Sequence, residues 1–226
     1  MRRFFSLILF AGLLTACDSS NPAATTAPAP IPEEVRPAPV VASIPIFQAA
    51  PTGNQIGTLD RSAIDAALSG VPPAPLSAEV GVPEYDFSPA VFPDDRPPNS
   101  IPASPALGVY PNPTSNILGI SVSFPPADRS QLYVLPAVTE AGAAPPDITG
   151  TALLSTPDGF DGLFLYDGPT AGANYQLGLP AADIGLDYGV YRVVLIADGE
   201  RLYQDVLYAP CVDGSVAGIE DFCYGP

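Results

Sequence analysis

The chain of 226 residues has no histidine, no lysine and no tryptophan, and these gaps exclude much catalytic chemistry. Without histidine there is no Ser-His-Asp or Cys-His site, and without lysine there is no Ser-Lys dyad or Schiff base. Glycine-rich nucleotide loops and Cys-X-X-Cys-His haem sites are also missing, so no cofactor is expected. The carboxylate pairs Asp94-Asp95 and Glu220-Asp221 remain, but solvation would keep both members of each pair ionised. The sequence therefore predicts a protein that is not an enzyme and has no catalytic residues.

Basic residues are scarce, since eight arginines stand against 24 acidic residues and the formal net charge is −16. Removal of Arg2 and Arg3 with a signal peptide would leave 24 acids against six arginines, or −18. Such a surface repels nucleic acid and anionic lipid headgroups, so neither is an expected partner. No motif identifies a small-molecule substrate.

No hydrophobic run is long enough to span a bilayer. The longest one, residues 4–14, follows Arg2 and Arg3 and precedes small residues, which is the layout of a secretory signal peptide. The stretch Leu14-Thr15-Ala16-Cys17 resembles the lipobox of bacterial lipoproteins. That resemblance implies cleavage after Ala16 and acylation of Cys17, which would anchor the chain to a membrane. The alternative is an ordinary cleaved signal with an incidental cysteine.

Cysteine is also scarce, with Cys211 and Cys223 the only thiols beyond Cys17. An oxidising compartment favours a disulfide between them, and closing so short a loop contributes on the order of 3 kcal/mol. A metal site would need further ligands, and without histidine too few good ones remain. We expect a disulfide-closed tail over 211–226 and no metal site.

Proline is abundant in residues 17–106, which follow the predicted signal peptide at 1–16. Proline removes backbone donors and fixes φ, so this segment is predicted to be a mostly irregular stalk. A fully extended path would reach roughly 280 Å. Asp60 is expected to cap a short helix near 60–69. The apolar stretches "IPIFQ" at 44–48 and "EYDFSPAVF" at 84–92 are expected to dock on the following domain.

Residues 107–210 alternate apolar and polar side chains between turn signals, which predicts an antiparallel Ig-like β-sandwich of about seven strands. The candidate strands are "ILGISVSF", "SQLYVLPAV", "DITGTALL", "GLFLYDG", "ANYQLGL", "GVYRVVLIA" and "RLYQDVLY". Asp198-Gly199 is expected to make the turn of the last hairpin, and Asp-Gly pairs at 158, 161, 167 and 213 are expected to mark other turns. Tyr133, Tyr191 and Tyr203 are interpreted as half-buried core or face residues of the strands. A calcium site at Asp158, Asp161 and Asp167 is the less favoured alternative, because the spacing does not match an EF-hand-type loop.

Two segments of this domain carry a family resemblance. "VYPNPTSN" at 109–116, with Tyr110, Pro111, Asn112 and Pro113 as its most specific part, resembles the start of the type IX secretion system type A sorting domain. Residues 188–208 are similar to the final hairpin of that family. The resemblance implies a small β-sandwich that is recognised by an outer-membrane secretion apparatus. Sorting domains follow a large cargo domain, whereas here only the proline-rich segment precedes the sandwich.

The sequence thus predicts a non-catalytic, lipid-anchored protein of the bacterial cell envelope, in the outer membrane, with the side it faces left open. Its sandwich would be a binding or structural module on a proline-rich stalk, with the membrane reached through the lipid anchor. One alternative is a type IX secretion substrate, with the secretion machinery as partner. Another is an accessory subunit that binds other envelope proteins in a larger complex.

Overall fold

The computed structural model describes residues 37–47, 54–83, 101–220 and 222–223. The predicted cleavage residues Leu14, Thr15 and Ala16 and the predicted lipidation site Cys17 lie outside these ranges, as does the segment 84–92. Within them the chain forms 13 strands and one helix. These are β1 (Ser43–Phe47), β2 (Gln55–Asp60), α1 (Arg61–Leu68), β3 (Ala106–Val109), β4 (Ile117–Phe124), β5 (Ala127–Ala137), β6 (Leu154–Ser155), β7 (Asp161–Thr170), β8 (Ala173–Pro180), β9 (Gly189–Ala197), β10 (Glu200–Tyr208), β11 (Cys211–Val212), β12 (Ser215–Val216) and β13 (Ile219–Glu220).

Two antiparallel sheets form the centre of the fold. The smaller has the strand order β3-β4-β8 and the larger has the order β10-β9-β5-β7-β6. Every second residue of β4 is buried, which is the period of a strand with one face against a core. The core between the sheets is made of these residues and the inward residues of the larger sheet, among them Leu118, Ile120, Val122, Phe124, Leu132, Val134, Val193 and Leu195. The predicted all-β sandwich is therefore confirmed.

Six of the seven predicted strands lie where the alternation places them, as β4, β5, β7, β8, β9 and β10. The prediction for "DITGTALL" was wrong. There Ile148 makes a single bridge to Leu186, and only β6 at its end is a strand. Gly150 has a φ of +73°, which turns the backbone out of the extended conformation and ends the pairing.

Turn chemistry explains most of the Asp-Gly pairs but not all of them. The pair at 198–199 has φ values of 50° and 74°, as the tight turn between β9 and β10 requires. The pairs at 158 and 213 also form turns, whereas those at 161 and 167 lie inside β7. Gly162 is needed there because a Cβ would lie 2.7 Å from Leu135 Cδ2 and 3.0 Å from the Val134 carbonyl oxygen. The Asp-Gly pair at 161–162 is therefore explained by a close approach between neighbouring strands and not by a turn.

A third layer covers part of the outer face of the larger sheet. It consists of the antiparallel hairpin β1-β2, helix α1 and the C-terminal strands β11, β12 and β13. A second apolar core joins this layer to the sheet, and its buried members are Val41, Ile44, Leu59, Ile64, Ala137, Val190, Leu207, Ala209, Val216 and Phe222. Both ends of the described chain therefore pack on the same sheet.

Helix α1 begins where its cap was predicted. The Asp60 carboxylate accepts a hydrogen bond from the Ala63 amide at 2.9 Å. The Ser62 hydroxyl and this amide lower the pKa of Asp60. Arg61 reaches Glu140, after β5, at 2.6 Å. The helix is thereby fixed to the sandwich at its first turn.

The stalk prediction needs correction in its described part. "IPIFQ" was expected to dock, and Ile44 is indeed fully buried within β1. The hairpin itself was not expected in a proline-rich segment, and residues 41–68 belong to the folded body instead of projecting it from a membrane. The backbone groups of Phe47 and the carbonyl oxygen of Pro45 bond to Asn112, on the side of β1 away from β2. Proline is tolerated at 45 because its nitrogen faces that side and takes no donor from the β1-β2 ladder.

Candidate functional site

The segment Tyr110–Pro113, called here the YPNP segment, joins all three layers. Both of its X-Pro peptide bonds are cis, and residues 111–113 are buried. Asn112 has no exposed surface, and its side-chain amide donates to the carbonyl oxygens of Pro45 in β1 and Asp205 in β10, each at 2.8 Å. Its Oδ1 accepts from the Leu207 amide at 3.1 Å. Both the amide nitrogen and the oxygen of the Asn112 side chain are therefore hydrogen-bonded inside the fold.

The chain after the YPNP segment continues along β10. Thr114 donates its amide to the Leu207 carbonyl oxygen at 2.9 Å and accepts from the Ala209 amide at 3.0 Å. On the other side, the side chain of Gln204 donates to the Val109 carbonyl oxygen at 2.7 Å and accepts from the Val109 amide at 2.9 Å. These bonds connect the edges of the two sheets. The most specific element of the family resemblance is thus a buried structural junction, and it presents no reactive group to solvent.

The predicted disulfide is present between Cys211 and Cys223, with a Cα–Cα distance of 5.6 Å. It closes the tail that carries Val216 and Phe222, which are 0% and 1% exposed. The disulfide therefore closes a segment that contributes two buried apolar side chains to the second core.

Charged and aromatic side chains cluster on the part of the outer face that the third layer leaves open. We call the group formed by Arg192, Tyr203 and Asp205, together with Arg201 and Asp158, the Tyr203 surface. Arg192 makes a two-point ion pair with Asp205, at 2.6 and 3.0 Å, and its guanidinium lies 4.3 Å from the centre of the Tyr203 ring. The hydrogen bonds to Asp205 raise the pKa of Arg192, so the guanidinium stays charged.

The other half of this surface is built around Asp158. Its carboxylate accepts from Tyr133 Oη at 2.9 Å and pairs with Arg201 at 2.5 Å, and its side chain is 9% exposed. Burial raises the pKa of Tyr133 above its ordinary value of 10.0, so the phenol remains a donor. Phe160, next to the turn that carries Asp158, packs against Tyr133 and Leu135 of β5. This turn therefore closes over the sheet and leaves Tyr203 beside it.

Tyr203 differs from the other strand tyrosines. Tyr133 and Tyr191 are fully buried, whereas Tyr203 is 58% exposed. Tyr133 and Tyr191 are therefore buried more deeply than expected, and Tyr203 is a face residue that is more exposed than expected. The alternation of side chains along the strand indicates that Tyr203 points away from the sandwich core, because it shares a face with the charged residues Arg192 and Asp205. What covers that outer face could not be read from the sequence.

The acidic residues considered for calcium have other partners. Asp158 binds Arg201 and Tyr133, and Asp167 makes a two-point pair with Arg129 at 2.7 and 2.8 Å. The Arg129 guanidinium lowers the pKa of Asp167. In the ranges that the structure describes, no three metal-binding side chains come together, and no helix has the length and apolar character to cross a membrane.

Comparison of the chain with models of known protein families, with curated proteins and with solved structures finds no match. Function must therefore be argued from the residues and the geometry. The described surface offers an exposed aromatic ring held against the ion pair of Arg192 and Asp205, which suits contact with another macromolecule. Its carboxylates are tied to arginines and are not arranged for acid–base chemistry.

Proposed function

We propose that the chain is a non-catalytic lipoprotein of the bacterial cell envelope, anchored through Cys17 and presenting a three-layer β-sandwich module. One observation of the structure supports retention of the sandwich as the working body. The second core includes Ile44 and Ile64 from the N-terminal part and Phe222 from the tail, all packed with Ala137 and Leu207 of the sandwich. A sandwich that shares its core with both ends of the chain is a poor candidate for a tag to be removed from a separate cargo.

The disulfide supports an oxidising compartment such as the periplasm or the cell surface. Cys17 precedes Pro37, the first described residue, by 20 positions, so a fully extended chain between them would span at most about 70 Å. This upper limit is shorter than the fully extended reach of the whole 17–106 segment.

Replacement Cys17→Ala tests the anchor. We expect the variant to leave the membrane fraction and to lack the acyl mass that intact mass spectrometry finds on the natural protein. The matched control is Cys211→Ser with Cys223→Ser, which also removes cysteine but leaves the lipobox intact and should stay membrane-bound. A Cys17→Ala protein that remains firmly in the membrane fraction would refute the anchor.

The alternative of a type IX secretion substrate is favoured by one observation. The two segments that resemble the sorting domain lie side by side, because Asn112 bonds directly to Asp205 and Leu207 of the last hairpin. If this alternative holds, protein recovered from cells will be cut near Leu107. Recovery of an intact chain that ends at Pro226 supports the lipoprotein. A subunit role in a larger complex would instead show as co-purification at fixed stoichiometry.

A further inference from the structure

The smaller sheet carries no charged side chain. Its strands β3, β4 and β8 lie within residues 101–126 and 168–182, and these stretches contain no aspartate, glutamate or arginine. The rest of the chain holds all 24 acidic residues and all eight arginines. A protein surface that serves solubility alone is usually about a quarter to a third charged. The neutral outer face of this sheet therefore points to a role in recognition.

The outer face of the smaller sheet is polar although it is uncharged. Alternate residues of β4 are buried, so the residues between them, which include Ser121 and Ser123, point outward. Ser121 pairs with Gly108 of β3 on one side and with Gln176 of β8 on the other. Ser123 pairs with Asn174 of β8, and its hydroxyl bonds to Asn174 Oδ1 at 2.5 Å. Hydroxyl and amide groups thus stand in rows across the strands.

The ring of Tyr110 lies across this face. A Cβ on Gly108 would be 3.8 Å from Tyr110 Cε1, and the side-chain amide of Gln176 donates to Tyr110 Oη at 3.5 Å. The ring therefore extends from β3 toward β8. Gly119 lies below it, and a side chain there is excluded because its Cβ would overlap the Tyr110 carbonyl oxygen. We call this part of the sheet, with Ser121, Ser123, Asn174 and Gln176 around the ring, the Tyr110 face.

A groove of about 320 Å³ runs along β3 beside the Tyr110 ring. Sites for small ligands usually measure roughly 300–1,000 Å³, and they combine apolar walls with a few polar groups. The Phe47 ring, at the end of β1, lines the groove as well, and the Gln204 side chain is fixed there by its two bonds to Val109. Among the described residues, none that lines the groove is charged and no partner is found for the Ser121 hydroxyl.

The chemistry of the groove restricts its ligand. A net charge of −16 on the chain repels an anionic ligand, and a cationic one would find no carboxylate in the described lining. A purely apolar ligand would cover the Ser121 and Tyr110 hydroxyls and leave them without hydrogen bonds. A neutral sugar meets all of these conditions. The C–H groups on one face of its ring pack on an aromatic side chain, and its hydroxyls donate to and accept from serine and amide groups.

We propose that the Tyr110 face and its groove bind a neutral polysaccharide. One sugar ring stacks on Tyr110, and its hydroxyls bond to Ser121 and Gln176. The face extends over three strands, so neighbouring sugar units of one polymer can bind together and gain affinity from being linked. This inference names a ligand for the module put forward under Proposed function and rests on the retention of that module. It does not depend on the lipid anchor.

Affinity electrophoresis of the full chain in detergent tests the ligand. Native gels contain a neutral glucan, a neutral mannan, a neutral galactan or the neutral polysaccharide extracted from the envelope of the cells that make the protein. We expect at least one of them to slow the chain relative to a gel without polysaccharide. A Cys17→Ala chain should be slowed equally, so a failed anchor and a failed ligand assignment are distinguishable. A natural chain that none of these polysaccharides slows overturns the proposal.

Substitutions locate the site. Ser121→Asp should weaken binding by about tenfold or more, because the ligand would have to cover a carboxylate that has no positive partner. Thr58→Asp adds the same charge to an exposed residue of β2 and should bind as the natural chain does. Equal melting temperatures of these variants would show that both fold. Equal retardation of the two variants would put the binding site elsewhere and overturn the assignment to this face.

The aromatic ring has a test of its own. Tyr110→Phe keeps the stacking surface and should bind within about threefold of the natural chain, whereas Tyr110→Leu should lose about tenfold or more. Sedimentation equilibrium without polysaccharide examines the other occupant. Self-association of the natural chain that Ser121→Asp abolishes would assign the Tyr110 face to a second copy and overturn the proposal.

Discussion

Replacement of Asn112 by alanine is the sharpest test of how the three layers are held together. The side chain has no exposed surface and makes three hydrogen bonds, to Pro45, Asp205 and Leu207. Its removal leaves two carbonyl oxygens and one amide without a partner inside the fold, and each unpaired group lowers the unfolding free energy by about 1–3 kcal/mol. Because the partners are neighbours, their costs do not simply add. We expect a loss of about 4 kcal/mol of unfolding free energy, near the lower end of the sum.

The assay is denaturant unfolding of purified protein with the disulfide intact, followed by far-UV circular dichroism. A loss of this size corresponds to a fall of roughly 8–16 °C in melting temperature for a domain of 150–250 residues. Asn116→Ala is the matched control, because Asn116 is exposed and, among the residues that the structure describes, only its backbone oxygen is bonded, to the Ala181 amide. This control should stay within about 0.5 kcal/mol of the natural chain. An Asn112→Ala chain equally close to the natural one would refute the role given to the junction.

Three further predictions concern the tail, the larger sheet and alkaline pH. Double replacement of Cys211 and Cys223 by serine should lower the unfolding free energy by about 3 kcal/mol, measured against the natural chain without reductant. Gly162→Ala should cost about 1–3 kcal/mol in the same assay because its Cβ would overlap the neighbouring strand, whereas Gly178→Ala, with one side-chain atom 3.6 Å away, should be nearly neutral. Burial and nearby negative charge raise the pKa of Tyr208 from 10.0 to about 12. Because the pKa is raised in the folded state, the neutral Tyr208 phenol stabilises the fold below pH 10, and this contribution is lost as the pH rises toward 12. A pH series of melting temperatures checks the loss, and ultraviolet titration should show that this phenol ionises late.

The sandwich could be predicted because most of its strands can be recognised from their own residues alone. In β4 the apolar residues alternate over eight positions, so the sequence alone indicates which side is buried. For β9 and β10 the signal is also local, because two apolar segments flank the Asp198-Gly199 turn, although β9 is buried on both faces. Such local periodicity does not depend on what lies farther along the chain, and this is why six strands were placed correctly.

The third layer could not be predicted in the same way. β1 is only five residues long and Pro45 lies in its middle, so the segment looks like irregular chain when it is taken alone. Its burial depends on Val190 and Leu207, which lie about 150 residues later in the sequence. The Tyr203 surface was missed for a related reason. The exposure of Tyr203 depends on how far the hairpin and the loop at Asp158 extend over the sheet, and no local pattern encodes that distance.

The second core has a consequence for the order in which the protein can fold. The chain is synthesised from its N-terminus, so Ile44, Leu59 and Ile64 emerge long before the residues that cover them. Their partners include Leu207 and Phe222, close to the other end. Contacts of such high sequence separation form late, and until then the early apolar side chains are exposed to aggregation. A chain that crosses a membrane N-terminus first would therefore complete its fold only when almost all of it has arrived on the far side.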